Sequence, residues 1–173
     1  SNTNHLKLVN LSKSNRLNNA LGFDVLHYST DFENRGSYNS SVNKDAQQTG
    51  IFNNLDFKLS DSFTVSGGLR FDENSHHGSQ STYRAGSYYK ISDLILFGSF
   101  ASGYKNPTMY EMFGADSYGY TGNPNLSPEN SYNKEIGLSI NNKFLELAFF
   151  DTSIEDMISY GNSTYSNDTS GSS

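Results

Sequence analysis

Between Phe63 and Asp72 apolar and polar side chains change places at nearly every step. Phe63, Val65, Gly67, Leu69 and Phe71 share one face, and Thr64, Ser66, Gly68, Arg70 and Asp72 share the other. A period of two marks a strand with one apolar and one wet side. The segment before it sets Ile51, Leu55, Phe57 and Leu59 against Gly50, Phe52, Asn54, Asp56 and Lys58, with Asn53 as the exception. Leu145, Leu147 and Phe149 likewise stand opposite Glu146 and Ala148. Further strands are predicted over residues 6–11, 20–29, 81–91, 94–104, 131–140 and 144–154. That makes eight, with room for a ninth in the tail. No apolar stripe keeps a period of 3.6 for three turns, and a short helix is expected only over 108–113.

The links between these strands carry a second signal. Residues 12–19, 60–62, 92–93 and 141–143 read as short turns, and Asn141-Asn142 suits a hairpin because Asn tolerates left-handed backbone. Residues 31–47, 73–80 and 105–130, and the tail after Glu155, read as longer connections. Short turns at one end and long loops at the other predict an antiparallel, up-and-down transmembrane β-barrel. Ten residues at about 3.3 Å each, tilted by about 40°, cover roughly 25 Å of bilayer. Phe63 and Phe71 are placed to mark the two limits of that band. A sheet in lipid must close, because hydrocarbon satisfies no strand edge. Eight or nine strands can close alone or belong to a larger barrel.

Composition narrows the classes. The 173 residues include 28 Ser and 21 Asn, and hydrophobic residues make up only 34%. That is too little aliphatic content for an ordinary soluble core. The 24 Phe and Tyr disfavour a disordered chain. A net charge of −6 argues against a nucleic-acid partner. With no Cys, the chain has neither disulfides nor thiolate metal ligands.

Two stretches carry a family pattern. Gly103-Tyr104-Lys105-Asn106-Pro107-Thr108-Met109-Tyr110-Glu111-Met112-Phe113-Gly114 resembles the end of a rising strand and the Tyr-rich turn after it in TonB-dependent outer-membrane receptors. Gly122-Asn123-Pro124-Asn125-Leu126-Ser127-Pro128-Glu129, followed by Ser131, Glu135 and Gly137, resembles the start of that family's descending strand. The likeness continues through Phe149, Phe150, Ile154, Asp156 and Ile158, and Asn106 stands where the family usually has Ala. The resemblance implies a barrel of about 22 strands with a plugged lumen. Residues 1–173 are then an internal segment of an outer-membrane β-barrel, with the plug domain and terminal strands outside it. It further implies high-affinity uptake of a scarce nutrient, a ferric siderophore or cobalamin. The implied partners are outer-membrane lipid, a small-molecule nutrient and, through the plug, the TonB energy complex. No resident cofactor is expected.

The loop over 105–130 holds the richest candidate chemistry. Tyr104, Tyr110, Phe113, Tyr118 and Tyr120 are interleaved with Asp116, Asn123 and Asn125, and Tyr offers rigid amphipathic contact at low entropic cost. These eight residues, with Arg35 and Tyr38, form the expected ligand-binding set. The competing reading is that the aromatics pack the loop over the barrel mouth. All three prolines, Pro107, Pro124 and Pro128, stiffen this loop. The charges Arg70, Asp72, Arg84, Lys90, Glu135 and Glu146, with Tyr88, are expected on the lumen face, pairing locally. His76-His77 reads as an exposed loop pair rather than a metal site. Asp31, Glu33 and Asp45 lack the spacing of a calcium loop. Without a Gly-x-Ser-x-Gly elbow, phosphate loop or zinc-protease helix, no enzyme is expected. Two other readings stay open: a small stand-alone barrel acting as adhesin or anchor, and a soluble glycan-binding β-sandwich.

Overall fold

The alternation does produce strands. The computed structural model describes residues 2–35, 39–140 and 144–168, and the side chains of all of these except 32, 34, 35 and 39–41. Eight strands follow in chain order: β1 (Asn2–Lys13), β2 (Leu17–Arg35), β3 (Asn39–Lys58), β4 (Phe63–Asn74), β5 (Gly78–Ile91), β6 (Leu94–Lys105), β7 (Glu129–Ile140) and β8 (Leu145–Glu155). They form one antiparallel meander in which each strand pairs with its neighbour in sequence. A five-residue helix, α1 (Met109–Phe113), lies in the long loop. Two short strands, β9 (Met157–Gly161) and β10 (Thr164–Asp168), make a separate hairpin after β8.

Register sorts the side chains into two faces. Phe23, Ile51 and Phe71 stand in one row across β2 to β4, and Leu55 and Gly67 lie opposite one another below them. Nearer the opposite rim Phe63 pairs with Tyr89, their rings edge to face at 6.0 Å. Leu6, Leu8, Leu21, Leu69, Ile136, Leu147 and Phe149 continue this exposed apolar surface. The other face carries Lys7, Asp24, Gln48, Arg70, Asp72, Arg84 and Glu135, in step with the expected lumen set. Nothing in the sheet resembles a soluble core. The few deeply buried apolar residues, Val42, Ala46, Met109, Met112, Tyr120 and Leu126, gather on the β3 extension and the long loop. The two-sheet sandwich around a dry centre is therefore absent among the described residues.

The links depart from strict short–long alternation. The expected long connection over 31–47 is mostly strand, since β2 and β3 run for 19 and 20 residues and pair out to Arg35 opposite Asn39. Backbone pairing needs no continuous apolar face, so the ladder continues where Lys44 interrupts the buried Val42 and Ala46 and the alternation fades. The link over 73–80 shrinks to a turn at 75–77, where Ser75 N donates to Gln47 O. Among the described residues only 106–128 make a long excursion. At the opposite rim the turns are short. Ser92 takes φ 53° to join β5 to β6 in two residues, a hairpin solution. The Asn141-Asn142 turn lies outside the described residues.

Two close approaches depend on missing side chains. A Cβ on Gly22 would sit 2.2 Å from the ring of Phe52, its cross-strand partner. One on Gly50 would fall 2.3 Å from Arg70 Nη2. The empty position at Gly50 lets Arg70 cross β3 and hold Asp24 and Asp72, the carboxylates on either side of that glycine. Arg70 Nη1 and Nη2 reach Asp24 at 2.9 and 3.0 Å, and Nε and Nη2 reach Asp72 at 2.8 and 2.5 Å. Both carboxylates are buried, at 5% and 4% exposure, so one guanidinium staples β4 to β2 across β3.

Candidate functional site

The site begins where β6 leaves the lipid band. Pairing of β5 with β6 stops at Arg84 opposite Ala101, and Ser102 Oγ then meets the backbone of Tyr83, accepting from its N at 2.9 Å. Beyond this interruption Tyr104 reaches the polar face, where its hydroxyl accepts from Gln48 Nε2 at 3.0 Å. Gln48 also donates to Asp72 at 3.1 Å and accepts from Asn106 and Asn74, each at 3.4 Å. Asn74 in turn donates to the Tyr28 hydroxyl at 3.3 Å. A polar network thus lines the loop end of the sheet, just above the Arg70 staple.

Residues 106–128 then fold back over this network. Thr108 caps α1: its Oγ1 accepts from Glu111 N, and the Glu111 carboxylate accepts from Thr108 N at 2.6 Å. This reciprocal box satisfies two of the donors that a helix start leaves open. Met109 packs against Val42 and Ala46 of β3, with Tyr28, Tyr110 and Phe113 around them. The helix is thereby seated on the protruding β2–β3 hairpin.

The expected ligand set divides by role. Tyr120 is only 5% exposed, stacks on Tyr110 with ring centroids 5.0 Å apart, and donates from its hydroxyl to Tyr110 O at 2.6 Å. Burial pushes both phenols above their ordinary range, so both stay protonated. Asp116 accepts from the backbone N of Tyr118 and Tyr120 at 2.8 and 3.0 Å, shaping a turn. Asn123 accepts from Asn125 N at 3.0 Å and donates to Tyr165 O at 3.0 Å. Phe113 meets Lys44 at 5.0 Å and His76 at 5.6 Å. Tyr120, Asp116, Asn123 and Phe113 thus hold the loop together. Tyr118 and Asn125 are the exposed members, Tyr118 at 64%. Of Arg35 only the backbone is described, and Tyr38 lies outside the described residues.

Three features escaped the sequence reading. The β9–β10 hairpin, turned by Asn162 and Ser163 in left-handed backbone, docks on the loop instead of leaving it as an open tail. Asn167 accepts from Ser127 N and donates to Ser127 O, both at 2.9 Å, and Thr121 N donates to Ser163 O at 3.2 Å. Tyr160 and Tyr165 join Tyr110 and Tyr120 in one ring cluster. The histidine pair is the third. His76 is exposed, with Nε2 2.8 Å from Asp45 O. His77 is tucked beneath the loop with both ring nitrogens shielded, beside the backbone of Pro107. Burial holds its pKa below the usual histidine value, and neighbouring His76 adds to this. The expected exposed pair is therefore half right: the second ring is partly buried, with Pro107 of the loop beside it. A Thr-x-x-Glu capping box at 108–111 was the legible clue that the loop folds rather than dangles.

An antiparallel meander with an apolar belt on one face, a charged wall on the other and a folded cap at one rim defines an outer-membrane barrel wall. Residues 2–173 match the family model described as "TonB dependent receptor-like, beta-barrel", and the chain belongs to that family. Family membership places it in the outer membrane of Gram-negative bacteria. A vitamin B12 transporter, BtuB, of Photobacterium profundum is 29% identical over 150 residues, which is 85% of this chain and 24% of that protein. The siderophore receptor PirA from Pseudomonas aeruginosa superposes with a TM-score of 0.75 at 18% identity, covering 96% of this chain and 34% of PirA. The ferric enterobactin receptor PfeA of the same organism, solved with enterobactin, gives 0.75 at 18% identity, covering 92% and 27%. The chain spans about a quarter of the length of the B12 transporter.

Proposed function

We propose that this chain supplies barrel wall and part of the ligand-capturing mouth of a TonB-dependent transporter that takes up a scarce nutrient, a ferric siderophore or cobalamin. The rest of the barrel and a plug contacting the TonB energy complex belong to the same receptor. The observation that carries the reading is the pairing of the lipid-facing belt with an aromatic cap held at one rim by β3, α1 and β10. Receptors named for vitamin B12 and for ferric enterobactin resemble the chain in sequence and in fold respectively, so both cargo classes stay in the proposal.

Capture falls to the exposed side chains of the loop, Tyr118 and Asn125 first, with Tyr104 facing inward to receive what passes the cap. Phe113, Tyr110, Tyr120, Asp116 and Asn123 hold that surface in place, and Arg35 and Tyr38 complete the candidate set. No chemical step is assigned to any residue, and the proposed role is transport without catalysis. The test is growth of a receptor-deficient Gram-negative strain carrying the full-length gene, fed ferric enterobactin or cyanocobalamin as sole source. Rescue by one of them names the cargo. Tyr118→Ala should then raise the half-saturating concentration severalfold. Failure of every iron complex and corrinoid tried would overturn the transport reading.

A further inference from the structure

Asn53 breaks the apolar row of β3, and every neighbour on its face is apolar. Ile51 and Leu55 flank it along its own strand, and it stands between Leu21 of β2 and Leu69 of β4. All four are exposed members of the lipid-facing belt. An amide is therefore set inside the belt and not at its rim. Asn19 lies one row nearer the short turns, on the same face, between Leu17 and Leu21 along β2 and opposite Leu55. Asn10 of β1 stands on the far side of Leu21, so it and Asn53 flank that leucine about 10 Å apart, two strand spacings.

The hydrogen bonds of this patch are half made. Asn19 Nδ2 donates to Asn53 Oδ1 at 3.2 Å and to Asn54 O at 3.3 Å. Among the described residues nothing accepts from Asn53 Nδ2, nothing donates to Asn19 Oδ1, and the Asn10 amide has no partner. Hydrocarbon contains no group to complete these bonds, and polar side chains at membrane depth normally face protein or water. Lipid ester groups lie at the edges of the hydrocarbon, whereas apolar residues box Asn53 in on all sides. The missing partners are thus donors and acceptors carried into the belt by another protein surface.

We propose that this face of β1–β3 is an interface with a second copy of the receptor, sealed by amide–amide hydrogen bonds among Asn10, Asn19 and Asn53. An amide carries both a donor and an acceptor, so a patch of amides is complementary to itself. Two barrels inserted in the same direction are related by a two-fold axis along the membrane normal, and such an axis keeps every residue at its own depth. Each Asn then meets the same polar level on its partner, as an isologous contact requires. Between apolar walls in lipid, side-chain hydrogen bonds and close packing are what remain to favour association. The interface depends on the barrel's place in the membrane and not on what the receptor carries.

The experiment uses the full-length receptor with one added cysteine, oxidised with copper phenanthroline in isolated outer membranes and read on non-reducing gels. Leu21→Cys should give a disulfide-linked band of twice the receptor's mass. Ile136→Cys, on the same face but five strands away, should give at least tenfold less. Adding Asn19→Leu and Asn53→Leu to the Leu21→Cys receptor should cut the band at least tenfold. Leucine suits a lipid-facing wall, so these variants should fold, and heat-modifiable gel mobility checks that the barrel has formed. No band of double mass, equal yields from the two cysteine positions, or an unchanged yield with the two leucines would each overturn the proposal. A cross-link to a protein of another mass would overturn it too, by giving the patch to a different partner.

Discussion

Arg70 and His77 show opposite ways of burying a polar side chain. Arg70 is surrounded by acceptors, and removing it would leave Asp24 and Asp72 buried without the guanidinium that pairs with both. Arg70→Met is expected to cost about 3 kcal/mol, near the lower end for a broken buried pair because the guanidinium is partly exposed. Urea unfolding in lipid vesicles measures this. Combining Arg70→Met with Asp24→Asn should cost less than the sum of the two, since the second change removes a stranded charge. His77, by contrast, has no carboxylate to hold its proton: it sits beside His76 and the backbone of Pro107, and burial dominates. Its folded pKa lies below the ordinary 6.5, so the unfolded loop binds the proton more readily. The contribution of neutral His77 is therefore present above pH 6.5 and is lost as pH falls through the folded value. Proteolysis within residues 106–128 should rise on acidification from pH 7.5 toward 5, and His77→Phe should flatten that dependence.

At the scale of elements, Asn167 makes two of the hydrogen bonds that tie the hairpin β9–β10 to the loop. Asn167→Ala removes two bonds to Ser127 and one to Asp156 O at 2.7 Å. At roughly 1 kcal/mol per bond this loosens the cap by about 2–3 kcal/mol. Faster cleavage near Ser127, with unchanged unfolding of the barrel strands, is the expected result. Asn167 also marks a limit of sequence reading. The strands of the lipid band were legible because one face is apolar and the other is not, and Phe63 to Asp72 shows both faces in ten residues. Residues 31–47 carry only a broken apolar row, in which Lys44 separates Val42 from Ala46, so their pairing left little pattern, and they read as a loop. The cap was half legible. Its aromatics and prolines were visible, but the duties of Asp116, Asn123 and Tyr120 depend on turns that only the folded chain reveals. Likewise Gly22 and Gly50 read as weak strand positions, and the ring and guanidinium that fill their space come from neighbouring strands.

The molecule as a whole is a thin wall with different solvents on its two sides, and substitutions should obey that asymmetry. Leu55 lies in the row midway between Phe63 and Phe71, so Leu55→Arg is expected to cost about 2–4 kcal/mol in vesicles. Ser99→Arg, on the polar face beside Glu135, should cost nearly nothing. A difference near zero between the two variants would contradict the assignment of faces. The rim has its own asymmetry. Val42 and Ala46 are among the most deeply buried apolar side chains described, and it is the loop helix that covers them. Excising residues 106–128 to ask what they recognise would strip that cover and leave a sticky patch on an outward-standing ribbon. A receptor shortened in this way would lose cargo uptake and gain a tendency to clump, and only the first loss speaks to recognition.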